Sequence, residues 1–367
     1  MNFSFTPLLV AVSILIYVCI LLTLKRAWRP PFRLSKWRTT LGVLLIVLFS
    51  VFAFYDTDYF HYLIAFDDIH RGGSTHMEDI YIWIAKFVGN NYNLFRIVVW
   101  GGATFIMTRM VKKLRIPAGL YFLLLSCLFL TLFAYARVSL AMTIVFWGLG
   151  IVSNAITKHN ITKYLIGILI ILTAYFFHKS ALFGIGVALI ASLITKLNRK
   201  TVSIFILAYP ILLVIVATLL ADVLNYSGSE SLVDIESAQG YLNHDNKESG
   251  IGAIIQKTLM YTPFYLSVFI YLKAIYSGRY NKWVPSMRIF ANANFLCVAI
   301  ATLFAFNLGI NTSVFYYRLL YFAFIPCTVF LVYCKLNRIS KLTNTTILIG
   351  LLGTVYKLLY SCYLASF

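Results

Sequence analysis

The sequence predicts an all-α polytopic membrane protein of about twelve transmembrane helices, folded as one integral membrane domain over residues 1–367. Three observations carry this. Hydrophobic residues make up 61% of the chain, and its mean hydropathy is +0.84, where soluble domains hold about 45–50% apolar residues. Charged residues fall to 12%, against about 25% in soluble domains. Apolar runs long enough to cross about 30 Å of hydrocarbon recur from end to end.

Taken in order, the expected spans are 6–24, 39–55, 93–110, 117–134, 138–156, 163–178, 180–195, 201–221, 257–276, 287–306, 314–334 and 343–361. The first lacks a basic leader and a small-residue cleavage site, and reads as a retained span. Six basic clusters separate these runs: 25–38, 109–115, 158–163, 196–200, 273–288 and 335–341. They hold 22 of the 31 Lys and Arg residues. Each follows an odd-numbered span, so all share one side, which the positive-inside rule makes cytoplasmic. All twelve Asp and Glu lie at 56–79 and 222–248, on the other side. Both termini are therefore expected outside.

The net charge of +19 has the same origin, so membrane lipid is an expected partner and nucleic acid is not. Cysteines 19, 127, 297, 327, 334 and 362 sit within or beside apolar runs without a CxxC. They read as core residues, neither disulfides nor a metal site.

Two larger outer loops follow, 56–92 and 222–256. Within the first, the stretch near 80–88 is too short to span. It suits an interfacial helix with Tyr81 and Trp83 at headgroup level. The loop histidines His61, His70 and His76 lack metal-ligand spacing. The second loop is more polar and suits a lid or an acceptor-binding segment.

The hairpin over 135–181 concentrates the candidate chemistry. Its basic turn, 158–163, belongs to the cytoplasmic side, so Arg137 and the pair His178-Lys179 meet at the outer face. Arg318 opens the eleventh span on that same side. A guanidinium presents planar paired donors that match phosphate oxygens, and Lys179 adds a point charge. The bland alternative for these cations is snorkelling to headgroups or capping a helix end. Neutral His178 can act as a base. Asp56 and Asp58, spaced i, i+2, can hold a divalent metal or provide a base; a solvated loop pair is the plain alternative. Tyr59, Arg96, Tyr316 and Tyr317 suit sugar stacking and hydrogen bonding, although an interfacial belt uses the same residue types. No P-loop, dinucleotide fingerprint or Gly-x-Ser-x-Gly elbow is present.

Four segments in this order resemble the EpsG/Wzy-type polysaccharide polymerases of bacterial envelopes. They are Tyr55-Asp56-Thr57-Asp58-Tyr59, Ala136-Arg137-Val138-Ser139-Leu140-Ala141, Phe177-His178-Lys179-Ser180-Ala181 and Tyr316-Tyr317-Arg318-Leu319, spread across about residues 50–330. The resemblance implies a glycosyltransferase at the outer (periplasmic) face of the cytoplasmic membrane. Such an enzyme polymerises undecaprenyl-diphosphate-linked oligosaccharide repeats, both donor and acceptor being lipid-linked, with a chain-length regulator as a further partner. It places Arg137 and Arg318 at the donor diphosphate and His178 beside them. Cations in a low-dielectric pocket stabilise the leaving diphosphate. No cofactor is then needed, and a divalent metal is compatible but not required. Asp58, Asp56 and His178 remain open as the base. The rival readings are an O-antigen ligase, which would need lipid A core as acceptor, and a flippase or transporter, which would place ionisable groups deep in the spans. An acyltransferase or channel component is the residual class.

Overall fold

The computed structural model describes residues 7–55, 57–73, 77–134, 138–194, 199–225, 251–303 and 319–364, with side chains throughout except at 57–58 and 216–225. Every regular element among them is a helix. In order these are α1 (Pro7–Leu24), α2 (Lys36–Val51), α3 (Thr57–His70), α4 (Asp79–Val88), α5 (Tyr92–Leu114), α6 (Ala118–Leu128), α7 (Leu130–Phe133), α8 (Val138–Thr157), α9 (Ile161–Thr173), α10 (Ala181–Leu193), α11 (Arg199–Asn225), α12 (Ile251–Tyr276), α13 (Pro285–Leu303), α14 (Phe324–Leu336) and α15 (Leu342–Leu364).

Each of the twelve expected spans coincides with a helix. Among the described residues six helices are long and apolar enough to cross a membrane alone: α1, α5, α8, α12, α13 and α15. Others are shorter than the hydropathy suggested. The run at 117–134 breaks at Phe129 into α6 and α7. The run at 163–178 tightens into a 3₁₀ turn over Ala174–Phe176 and stops before His178. Hydropathy counts apolar residues and is blind to such breaks.

The centre of the bundle consists of α6, α8 and α14. Residues 119–134 are all buried, as are 324–334. A helix apolar all round belongs inside a bundle. By contrast α9 exposes Leu165, Ile166, Leu169 and Leu172, an apolar face suited to lipid.

At several glycines helices approach until backbone meets backbone, two crossings most closely. A Cβ on Gly148 of α8 would lie 2.8 Å from the Gly167 carbonyl of α9, and one on Gly167 would lie 3.0 Å from the Gly148 carbonyl. A Cβ on Gly353 of α15 would lie 3.0 Å from the Leu259 carbonyl of α12. Close glycine crossings are how helices associate where lipid offers no hydrophobic drive. The α8–α9 turn is closed by His159 at φ 52°, and Asn160 caps α9 by accepting from the Lys163 N–H at 2.8 Å. A helix stop and a helix start thus share two residues.

The six basic clusters meet at one end of the bundle, joined by short contacts. Tyr333 donates to the Leu114 carbonyl at 3.2 Å, and Asn154 to the Lys113 carbonyl at 3.5 Å. Lys335 sits 3.6 Å over the Trp28 ring. Arg279 donates to the Ile339 carbonyl at 3.2 Å, and Arg199 lies 5.2 Å over the Tyr276 ring.

The loop expected over 56–92 departs from expectation. Residues 57–70 form α3, so His61 and His70 are helical positions and not loop histidines. Tyr59, Phe66 and Ile69 are buried along one stripe, with Leu63 partly buried between them. That is helical spacing, diluted to the eye by Asp67 and Asp68. The helix expected near 80–88 is α4, but it treats its two aromatics differently. Tyr81 is fully buried, whereas Trp83 is 74% exposed. Residues two apart point to opposite sides of a helix, so only Trp83 faces outward.

Candidate functional site

The end of the bundle opposite the basic clusters gathers the described candidates. Its first component is a buried guanidinium. Arg96, one turn into α5, is 1% exposed. It donates to the Ser50 carbonyl at the end of α2 through Nε at 3.2 Å and through Nη2, and to the Tyr92 hydroxyl at 3.0 Å. Aromatic faces enclose it, with the guanidinium carbon 4.1 Å from the Trp100 ring centre, 4.9 Å from Tyr59 and 5.6 Å from Tyr92. Such rings stabilise a cation withdrawn from water. Tyr92 in turn donates to the Tyr59 carbonyl at 2.9 Å. Burial raises the Tyr59 hydroxyl above its ordinary pKa, and Arg96 offsets part of that rise. Two of the sequence candidates, Tyr59 and Arg96, therefore share one enclosed box rather than an open rim.

Trp100 links this box to the hairpin. Its indole N–H donates to the Phe133 carbonyl at 3.1 Å, and that carbonyl also accepts from the Ser139 hydroxyl at 2.7 Å. Phe133 ends α7 and Ser139 lies in the first turn of α8. Both flanks of the segment 135–137 are thus held to one acceptor, and Tyr55 pins the preceding turn by donating to the Thr131 carbonyl at 3.1 Å.

The second helix of the hairpin runs back toward the same end. Gly148 and Gly167 touch; the start of α8 lies ten residues from Gly148, about 15 Å along the axis, and His178 lies eleven residues beyond Gly167, past the end of α9 and a 3₁₀ turn. The 3₁₀ turn Ala174–Phe176 packs against α8. His178 follows, with Nδ1 3.4 Å from a Glu78 carboxylate oxygen. The Ser180 amide N–H donates to the same Nδ1 at 3.2 Å, and the Ser180 hydroxyl lies 3.0 Å from it. These contacts suit different proton states. The amide needs the Nδ1 lone pair and so favours the neutral ring protonated on Nε2. The carboxylate needs a proton on Nδ1. His178 therefore has a partner at Nδ1 in either form. Lys179 is exposed beside it.

Glu78 closes the circuit. It occupies the position before α4, and the α4 residue Tyr81 sits 6.4 Å from Phe95 of α5, beside Arg96. Sequence reasoning missed Glu78, which lies 100 positions from His178 with no local pattern to couple them. Trp100 and Ser139 were missed as well, because an apolar helix conceals a single polar atom. Arg137, Arg318, Asp56, Tyr316 and Tyr317 lie outside the described residues, as does most of the second outer loop. Asp58 is placed in the first turn of α3, its side chain undescribed. Among the described residues no three His, Cys, Asp or Glu converge as a metal site would need.

A family model for the EpsG family matches residues 36–365. The chain belongs to the EpsG family. This is a family of Wzy-type polysaccharide polymerases, and the match runs beyond the motif-bearing stretch in both directions. No curated protein and no solved structure matches the chain. Membership makes the protein a membrane polysaccharide polymerase and leaves donor, acceptor and sidedness to chemistry.

Proposed function

We propose that the protein extends a polysaccharide by transferring glycan from an undecaprenyl-diphosphate carrier to another lipid-linked repeat unit, at the outer face of the bacterial cytoplasmic membrane. The observation that carries this reading is the hairpin. Its glycine crossing brings the start of α8, directly after Arg137, and His178 to the end of the bundle opposite the basic clusters. With those clusters cytoplasmic by the positive-inside rule, the His178 end faces outward and both termini do likewise.

In the reaction, the acceptor hydroxyl oxygen bonds to the anomeric carbon of the donor glycan. The bond from that carbon to the diphosphate oxygen breaks, and the lipid diphosphate leaves with the electron pair. Arg137 and Arg318 hold the diphosphate bidentately, Lys179 adds charge, and together they stabilise the oxyanion. The acceptor's proton goes to His178, Asp58 or Asp56. His178 has the best-defined surroundings, because Glu78 would stabilise the imidazolium so formed. Tyr59 and Arg96 act from within the bundle, shaping the glycan surface that Tyr316 and Tyr317 complete. No nucleotide or metal is called for, since the arginines fill the electrostatic role.

The test is reconstitution. Purified protein given only a lipid-linked repeat unit is expected to build a ladder of glycan lengths. A ladder that appears only when lipid A core is added would make it a ligase, and movement of an unlengthened substrate across the bilayer would make it a flippase. In a deletion strain, Arg137→Ala and Arg318→Ala at normal membrane levels are expected to abolish long glycan. Wild-type ladders from both would sink the diphosphate clamp.

A further inference from the structure

At the basic end, remote from His178, lies a cavity of about 320 Å³ between the end of α12 and the start of α15. Three cations line it, Lys273, Arg279 and Lys341, with the hydroxyls of Ser277 and Ser340 and an apolar wall at Ile270. The lining segments, 270–282 and 339–342, contain no Asp or Glu. Arg279 is steadied by its bond to the Ile339 carbonyl at 3.2 Å. Ser340 accepts from the Leu342 N–H at 3.2 Å, and its hydroxyl hydrogen is still available to donate. Leu342 begins the 23-residue α15, whose positive dipole end adds to the same field. One cation near the last turn of α12 would answer that helix's own dipole. Three around a concave space with no counter-charge of their own exceed that need.

We propose that this cavity is a phosphate-binding site separate from the polymerase centre. A phosphate is the anion that a guanidinium, two ammonium groups and a hydroxyl donor fit together. Basic pockets between transmembrane helices on the cytoplasmic side take anionic lipid headgroups. The same chemistry would also hold a soluble phosphate.

The two sources separate experimentally. Full-length protein is placed in nanodiscs of phosphatidylcholine with rising phosphatidylglycerol, and retained lipid is read by native mass spectrometry. A parallel arm adds sodium phosphate or pyrophosphate in neutral detergent and follows thermal unfolding. Removing two cations by Lys273→Gln with Lys341→Gln is expected to weaken the bound phosphate about 30-fold. Lys112→Gln with Lys113→Gln, at the same end but outside the cavity, controls for general surface charge and is expected to change affinity by less than about threefold. Loss confined to phosphatidylglycerol marks a headgroup site, and loss confined to phosphate or pyrophosphate marks a soluble ligand. Equal losses in the two double variants, or no preference for either phosphate over phosphatidylcholine, would overturn the proposal.

Discussion

The two ends of the bundle hold their cations in opposite ways. At one end there are many, spread over six clusters, and the described contacts are to carbonyls or ring faces, as with Arg279 on Ile339 and Lys335 over Trp28. Their number matters more than their individual placement, because topology responds to the sum of positive charge near the spans. At the other end two groups are individually built in, while Arg71, Lys86 and Lys179 stay exposed. Arg96 is enclosed by three rings and a carbonyl, and His178 has a carboxylate and a serine at one nitrogen. Abundance orients a membrane protein, while confinement makes a charge chemically useful.

That contrast can be broken first at Arg96. Arg96→Ala would leave the Ser50 carbonyl and the Tyr92 hydroxyl without their donor and would open a void among rings. It is expected to destabilise the protein by about 3–5 kcal/mol. Thermal unfolding of purified protein measures this, and Arg96→Lys should recover only part, since an ammonium cannot span both acceptors. A fully stable alanine variant would show the box to be incidental.

The hairpin crossing comes next. A side chain at Gly148 must push against the Gly167 carbonyl, so Gly148→Val is expected to cost about 1–3 kcal/mol. It should also shorten the glycan ladder by moving the start of α8 relative to His178. Gly186, on α10, has nothing within 4 Å of its Cβ position, and Gly186→Ala should leave both properties unchanged.

Glu78→Gln removes the charge facing His178. The pair is partly exposed, with side-chain accessibilities of 24% and 15%, so the stability change should stay within about 1 kcal/mol. Polymerisation rate is the sensitive readout: a fall with stability intact ties Glu78 to the proton step, and an unchanged rate removes it. The smallest effect belongs to the basic end. Replacing Lys112 alone by Gln is expected to shift stability by less than about 0.5 kcal/mol and to leave reporter-tag topology as it was, because the remaining clusters still set the orientation.

How much was legible beforehand follows from what each signal depends on. All twelve spans were visible because transfer into hydrocarbon sums over a window of residues, whatever their neighbours are. The gathering of the basic clusters was visible for a related reason, since alternation of side follows from counting spans. Helix α3 was hidden because its buried stripe, Tyr59 to Ile69, alternates with acids that lower the average without disturbing the period. The family was legible because short motifs kept their order. The proposed clamp follows from that order, with Arg137 at the hairpin and Arg318 at the eleventh span.

The sequence by itself determined the membrane class, the span positions, the charge asymmetry and the family, all properties that add up along the chain. Tertiary structure alone decided that Glu78 meets His178 across 100 residues. It also decided that Arg96 and Tyr59 close into one box, and that the Phe133 carbonyl takes both the Trp100 indole and the Ser139 hydroxyl. These are pairings of single polar atoms, set by how α4, α5 and α8 pack, and no windowed average carries that information. The hairpin stands between the two kinds of knowledge. Its ends were expected together by counting spans, and the Gly148–Gly167 contact fixes the register between α8 and α9.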